Sequence, residues 1–272
     1  MKRYSIYSDK GNQLKKFLMI ASMLIFTIPF NNCKESKKKE IAKTHDIINQ
    51  QRLDSLPLIP KLFLEQEMNS AGYCLVKGKA NRKVVALTFD DGPTDLTNDI
   101  LIVLDKYDVK ATFFWLGKNL SNNVDVIKKT KDSGHIIANH SWDHTNGADL
   151  NNSELWETQV SKTFMELKNF GIQSNYFRPP FGGITQAQID FLGGKGITTV
   201  LWSITSMDWD NSQNNEVDLL KKFKHYLHEE AIVLFHDYDF GKSNEKLNAL
   251  EKMIIYGKSQ GYKFVTIENI NK

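Results

Sequence analysis

Only two cysteines, Cys33 and Cys74, occur in 272 residues, which excludes a small scaffold stapled by a disulfide framework. Six prolines and sixteen glycines are far too few for a collagen-like fibre. The longest apolar run, residues 17–30, falls short of the about 20 residues that span a bilayer as a helix, and a polytopic membrane protein is excluded. Positive charge is in deficit over most of the chain: residues 62–272 hold 23 Lys and Arg against 27 Asp and Glu, a net of −4. A nucleic-acid partner held by phosphate neutralisation is therefore disfavoured. No internal repeat is visible. What remains, 41% hydrophobic and 25% charged residues, is ordinary for a globular protein of one large or two small domains and rules out a disordered chain.

The basic residues gather at the N-terminus, where residues 1–61 hold 12 Lys and Arg against 5 Asp and Glu. Lys2, Arg3, Lys10, Lys15 and Lys16 precede the apolar run 17–30, which as a helix would be about 21 Å long against a hydrocarbon core of ~30 Å. A positive segment followed by a short apolar one is the pattern of an export signal, here residues 1–32, with a retained short anchor as the alternative. Cys33 follows closely, as the acceptor cysteine of bacterial lipoprotein signals does, so lipid attachment at Cys33 and a membrane-anchored place in the cell envelope are expected. Residues 33–60 are Lys-rich and polar and read as a flexible tether. Residues 61–82 contain apolar pieces (Leu62, Phe63 and Leu64, then Tyr73 to Val76) expected to pack onto a domain at 83–272. Cys74 is then a buried small hydrophobe.

From residue 83 short β-branched runs alternate with amphipathic stretches. Strands are expected at 84–89, 111–116, 135–139, 176–178, 198–204, 231–236 and 262–267. Helices are expected at 96–107, 124–132, 154–170, 185–192, 217–228 and 246–256, the last with Leu247, Leu250, Met253 and Ile254 at helical spacing. Seven strands separated by six helices predict an α/β fold with parallel strands and crossover helices. About 190 residues is short of the ~250 of a full (β/α)₈ barrel, which predicts a reduced or distorted barrel with its chemistry at the C-terminal ends of the strands.

Polar residues stand at those ends. The first strand runs into Asp90-Asp91-Gly92-Pro93; adjacent carboxylates repel and need a cation or proton beside them, unless they merely open a turn. The third runs into His140-Ser141-Trp142-Asp143-His144, two histidines four apart, a spacing that on a helical turn suits one divalent metal. The fourth ends in Arg178-Pro179-Pro180-Phe181-Gly182-Gly183, the fifth leads to Asp208-Trp209, and the sixth, Leu234-Phe235-His236-Asp237, closes on a histidine that is either functional or a polar stop.

Taken together, Thr88 to Pro93, His140 to His144, Arg178 to Gly182, Asp208-Trp209 and Leu234 to Asp237 resemble the motifs of the polysaccharide deacetylase, or NodB-homology, family, in order and approximate spacing from about residue 83 to 270. The resemblance implies one divalent metal, usually zinc, with cobalt, nickel or iron also acceptable, on Asp91, His140 and His144. It implies Asp90 as general base, Arg178 as its partner, and His236 as general acid oriented by Asp208. A backbone N–H at Phe181 would meet the oxyanion, and Trp209 and Leu234 would wall the acetyl methyl slot. Phe181 stands where relatives mostly carry Tyr, and Thr205 where several carry another Asp. The implied activity is hydrolysis of N-acetyl groups on an amino-sugar polymer, peptidoglycan first. An O-acetyl glycan esterase and a catalytically silent glycan-binding lipoprotein are the alternatives.

Overall fold

The computed structural model describes residues 59–272; the expected export signal, Cys33 and all but the last two residues of the expected tether lie outside the described residues. Helix α1 (Lys61–Asn69) leads to the short strand β1 (Cys74–Leu75). An alternation follows of β2 (Val84–Asp90), α2 (Asp95–Lys106), β3 (Thr112–Trp115), α3 (Val124–Asp132) and β4 (Ile136–Asn139). The chain continues through α4 (Ser161–Asn169), β5 (Tyr176–Phe177), α5 (Gln186–Gly193), β6 (Thr198–Val200), β7 (Ile204–Thr205), α6 (Glu216–Tyr226), β8 (Ala231–His236), α7 (Ser243–Ser259) and β9 (Lys263–Phe264). Every strand pairing is parallel, as crossover helices require. The spatial order is β1-β6-β5-β4-β3-β2-β8-β7, with β9 pairing the start of β2.

The sheet curls into a distorted, incompletely closed (β/α) barrel, and the chain itself shows why. Strands β6 and β7 are separated by residues 201–203 yet lie near opposite ends of the order, and so short a link spans at most about 14 Å. Within it Leu201 N–H donates to the Leu75 carbonyl (2.8 Å) and Ser203 N–H to that of Ile232 (3.0 Å), so residues only two apart bond to the two sides of one seam. The strand expected at 198–204 is thus corrected to two strands, because the chain must leave one side of the seam to join the other. Strand β1 was not expected, and β9 is shorter than expected.

Strand alternation sorts the core. Val85, Leu87 and Phe89 of β2 and Val233 and Phe235 of β8 pack under the outer helices. Val84, Ala86, Phe114, Ala138, Val200 and Ile232 fill the barrel interior with Ile267 and Ile270. Continuing the inward parity toward the C-terminal ends, the apolar side chains give way, Leu234 apart, to Thr88, Asp90, His140, Arg178 and His236. The barrel is plugged by hydrocarbon below and lined by polar side chains above.

Candidate active site

Asp90 ends β2 and is buried, in register with His236 at the end of β8. Its Oδ1 accepts from Arg178 Nη1 at 2.7 Å. Arg178 is fully buried with its guanidinium over the Phe114 ring, 4.1 Å from Cζ to centroid. Its remaining donors are spent nearby: Nη1 also on Thr88 Oγ1 (2.7 Å), Nε on the Val200 carbonyl (3.2 Å) and Nη2 on the Leu201 carbonyl (3.1 Å). One arginine thus neutralises a buried carboxylate and bonds carbonyls at the open seam.

Asp91 lies one residue beyond, at φ 79°, and its Oδ1 faces His140 Nε2 at 3.4 Å and His144 Nε2 at 3.2 Å. That oxygen is buried with no hydrogen-bond partner. His140 Nδ1 is engaged by the Arg178 carbonyl at 2.8 Å, which leaves Nε2 as its free donor atom. The three donor atoms lie within 4.8 Å of one another. Ligands at ~2.0–2.1 Å from a tetrahedral ion sit about 3.3 Å apart, so the orphaned carboxylate oxygen and its two imidazoles fit a divalent cation. Burial works against the Asp91 charge, but the two imidazoles hold its pKa well below the usual carboxylate range.

The His140–His144 segment is not the helical turn that its spacing suggests but a loop with Ser141 and His144 in the left-handed region (φ 73° and 74°). Asn139 Oδ1 accepts from Ser141 N–H (2.8 Å), and Ser141 Oγ from His144 N–H (3.0 Å). Gln159 Oε1 takes the N–H groups of Trp142 and Asp143 (3.0 and 3.3 Å). Gln159 comes from a π-helical turn (Leu155–Val160) in what the periodicity suggests is a plain helix. Asn139 is itself anchored on the Val160 carbonyl (2.8 Å). These side-chain clamps, rather than helix geometry, bring the two imidazoles to Asp91.

His236 Nδ1 lies 2.8 Å from Asp208 Oδ1, and its N–H donates to Oδ2 at 3.0 Å. Asp208 is fully buried; Ser206 Oγ donates to Oδ1 and Lys246 Nζ to Oδ2, both at 2.8 Å. Burial alone would lower the His236 pKa, but the Asp208 carboxylate, with Asp91 and Asp90 beyond it, holds it above the ordinary histidine value. Burial would raise Asp208, yet His236 and Lys246 keep it well below the usual carboxylate range. Thr205 pairs with Leu234 in the sheet, so the carboxylate on His236 is that of Asp208. The Trp209 ring stands edge-on to His236 at 5.1 Å. Leu234 is buried two residues before His236 on the same strand face. Phe181, 63% exposed, sets its ring against His144 at 4.6 Å.

Three contributors were not picked out from sequence. Lys246 on α7 is buried and also donates to the His236 and Tyr238 carbonyls (2.9 and 2.8 Å); it reads as an ordinary helix lysine. Gln159 carries no motif. Asp237 is fully buried, accepts from Thr97 Oγ1 (2.7 Å) and Trp115 Nε1 (2.8 Å), and burial pushes its pKa up to about 7. A Cβ at Gly92 would lie 2.1 Å from Asp237 Oδ2, which is why the turn after Asp91 takes glycine. Asp91, Ser141, His144, Phe181 and Met207 all have positive φ, a concentration of backbone strain in the loops beyond the strand ends.

A parallel α/β barrel open at its C-terminal rim, with a buried carboxylate, a cation cradle and an oriented imidazole converging there, belongs to the hydrolytic barrels. Within that class the chain belongs to the polysaccharide deacetylase family, whose sequence model matches residues 77–200. It is 34% identical over 200 residues to a peptidoglycan N-acetylglucosamine deacetylase of Bacillus cereus, covering 71% of this chain and 70% of that protein. A peptidoglycan N-acetylglucosamine deacetylase of Listeria monocytogenes is 31% identical over 269 residues, 96% of this chain, which spans about half (52%) of that relative's length. Among solved structures, a peptidoglycan N-acetylglucosamine deacetylase crystallised with a naphthalenyl N-hydroxybenzamide superposes with a TM-score of 0.69. The identity there is 31%, over 73% of this chain and 92% of that one.

Proposed function

We propose that this protein is a metal-dependent deacetylase of the cell envelope that hydrolyses N-acetyl groups on peptidoglycan amino sugars. The observation that carries the reading is the register pairing of Asp90 with His236 on adjacent strands, with the Asp91, His140 and His144 donor set beside them. A base and an acid one strand apart suit an amide that must gain a proton on nitrogen as water adds to carbon. The names of the relatives support peptidoglycan as the substrate and the envelope as the place of action.

Asp91, His140 and His144 would hold the ion, with zinc the expected metal. When bound, it would lower the pKa of a water and polarise the acetyl carbonyl. Asp90, its Oδ1 held by Arg178 Nη1 at 2.7 Å, accepts the proton of the attacking water. The Phe181 N–H, which has no protein partner among the described residues, donates to the developing oxyanion. His236, its Nδ1 held by Asp208, delivers a proton from Nε2 to the amine as the C–N bond breaks, yielding acetate and a free amino sugar. Trp209 and Leu234 enclose the acetyl methyl.

The test is acetate release by the purified zinc-loaded protein from peptidoglycan, chitooligosaccharide and acetylated xylan, as wild type and as Asp90→Asn. Release from peptidoglycan, reduced about 10³-fold or more by the substitution, is the expected result. Release from xylan alone would replace this reading with an O-acetyl esterase, and none at all from metal-loaded protein would leave glycan binding as its function.

A further inference from the structure

We propose that helix α1 is a working part of the active site, with Phe63 and Gln66 as positioning residues that hold the 179–184 loop in the conformation that frees the Phe181 N–H. The inference rests on the deacetylase reading above, and its residues lie before the segment that the family model matches, 77–200.

The loop needs an external support. Phe181 and Gly182 are successive left-handed residues (φ 62° and 66°), a conformation that a non-glycine residue keeps only when its surroundings impose it. The Phe181 side chain offers little hold of its own, being largely exposed with one edge-on contact to His144. The neighbouring amides are spent inside the loop, Gly182 N–H on the Pro179 carbonyl (3.0 Å) and Gly183 N–H on that of Pro180 (2.9 Å). The Phe181 N–H has no such partner among the described residues.

Helix α1 supplies the support from behind. Phe63 is 1% exposed and stands edge-on to Trp202, 5.1 Å between centroids at 88°. A Cβ on Gly182 would lie 2.7 Å from Phe63 Cζ and 3.2 Å from Trp202 Cη2, so the two rings press on the loop backbone itself. One helical turn on, buried Gln66 donates from Nε2 to the Ile184 carbonyl at 2.7 Å. The left-handed pair is thus gripped at Gly182 and at Ile184. The brace has its own footing: Glu67 Oε1 accepts from Val76 N–H (2.9 Å) and Ser70 Oγ from Cys74 N–H (3.0 Å), which fixes the end of α1 to the β1 segment.

A helix that merely filled space would contribute to stability alone, and the experiment separates the two roles. Phe63→Ala, Phe63→Leu and Gln66→Leu are made in the full chain and loaded with zinc. Measured are metal content, melting temperature, kcat and KM for acetate release, and amide hydrogen exchange by mass spectrometry. Gln66→Leu is near-isosteric and removes an amide whose Oε1 has no partner, so it keeps the test alive should Phe63→Ala fail to fold. The expected result is kcat lowered about 10-fold or more in Phe63→Ala and about 3-fold or more in Gln66→Leu, as misplacing an oxyanion donor does. KM should change less than about 3-fold, zinc should remain stoichiometric, and exchange should quicken at 181–183 ahead of the rest of the barrel. Phe63→Leu should recover most of the lost rate. A lowered melting temperature with kcat and loop exchange as in wild type overturns the proposal, as does a loss confined to KM. If wild type releases no acetate, the deacetylase reading fails by itself, and local quickening at 181–183 still upholds the brace.

Discussion

At the scale of single residues, the decisive balance is around His236. Burial opposes its positive charge, and Asp208, 2.8 Å from Nδ1, restores it, so the imidazolium persists above the ordinary histidine pKa of ~6.5. Asp208 stays ionised because His236 and Lys246 outweigh its burial, while Ser206 Oγ also donates to it. The sign of the effect on catalysis follows. In the proposed role of proton donor His236 works while protonated, so the basic limb of the pH profile of kcat is expected above the usual histidine range. Asp208→Asn keeps an acceptor for Nδ1–H but removes the charge. The basic limb should then move to lower pH, and kcat at neutral pH should fall about 10- to 100-fold. An unmoved basic limb in that variant, with its fold checked by near-ultraviolet circular dichroism, would assign the titration to another group.

At the scale of elements, the 140–144 loop and the π-helical turn at Leu155–Val160 work as a pair. The wide turn sends the Gln159 side chain to the N–H groups of Trp142 and Asp143, and Asn139 ties the start of the loop to the Val160 carbonyl. Groups that orient metal ligands are commonly worth 10- to 100-fold in affinity. Gln159→Leu should weaken divalent-metal binding, assayed with zinc, by about 10-fold or more, read by titration against a competing chelator, while Gln159→Glu, which retains an acceptor, should lose less. Equal affinities in the three proteins would reduce the π turn to a packing irregularity.

For the whole molecule, the seam is where stability and the proposed catalysis share one side chain. Arg178 reaches Asp90 and Thr88 on β2 and the carbonyls of Val200 and Leu201, where the sheet leaves β6. Arg178→Met leaves Asp90 buried and unpaired, which costs about 3–5 kcal/mol. The melting temperature should fall by about 6 °C or more, together with an at least 100-fold loss of kcat through the disturbed base. Arg178→Lys keeps the charge but not the fork of donors, and should fall between the two. A lysine variant matching wild type in both measurements would remove the seam from the argument.

The alternation of strands and helices and the parity of the strand-end residues were determined by the sequence alone. Strands buried on both faces read as apolar runs, and a polar residue closing such a run stands out, as Asp90, Arg178 and His236 do. The helices at 96–107 and 124–132 were legible because amphipathic period is written in neighbouring residues. Only the tertiary structure decided the rest. The break between β6 and β7 follows from where the sheet closes. The 140–144 loop is shaped by a glutamine about 20 residues away. Lys246 reaches Asp208 from a later helix, and α1 meets Gly182 from more than 100 residues earlier. Such contacts, and the left-handed φ at Asp91, Ser141, His144 and Phe181, have no local signal, because a non-glycine residue takes that conformation when packing around it outweighs its own preference.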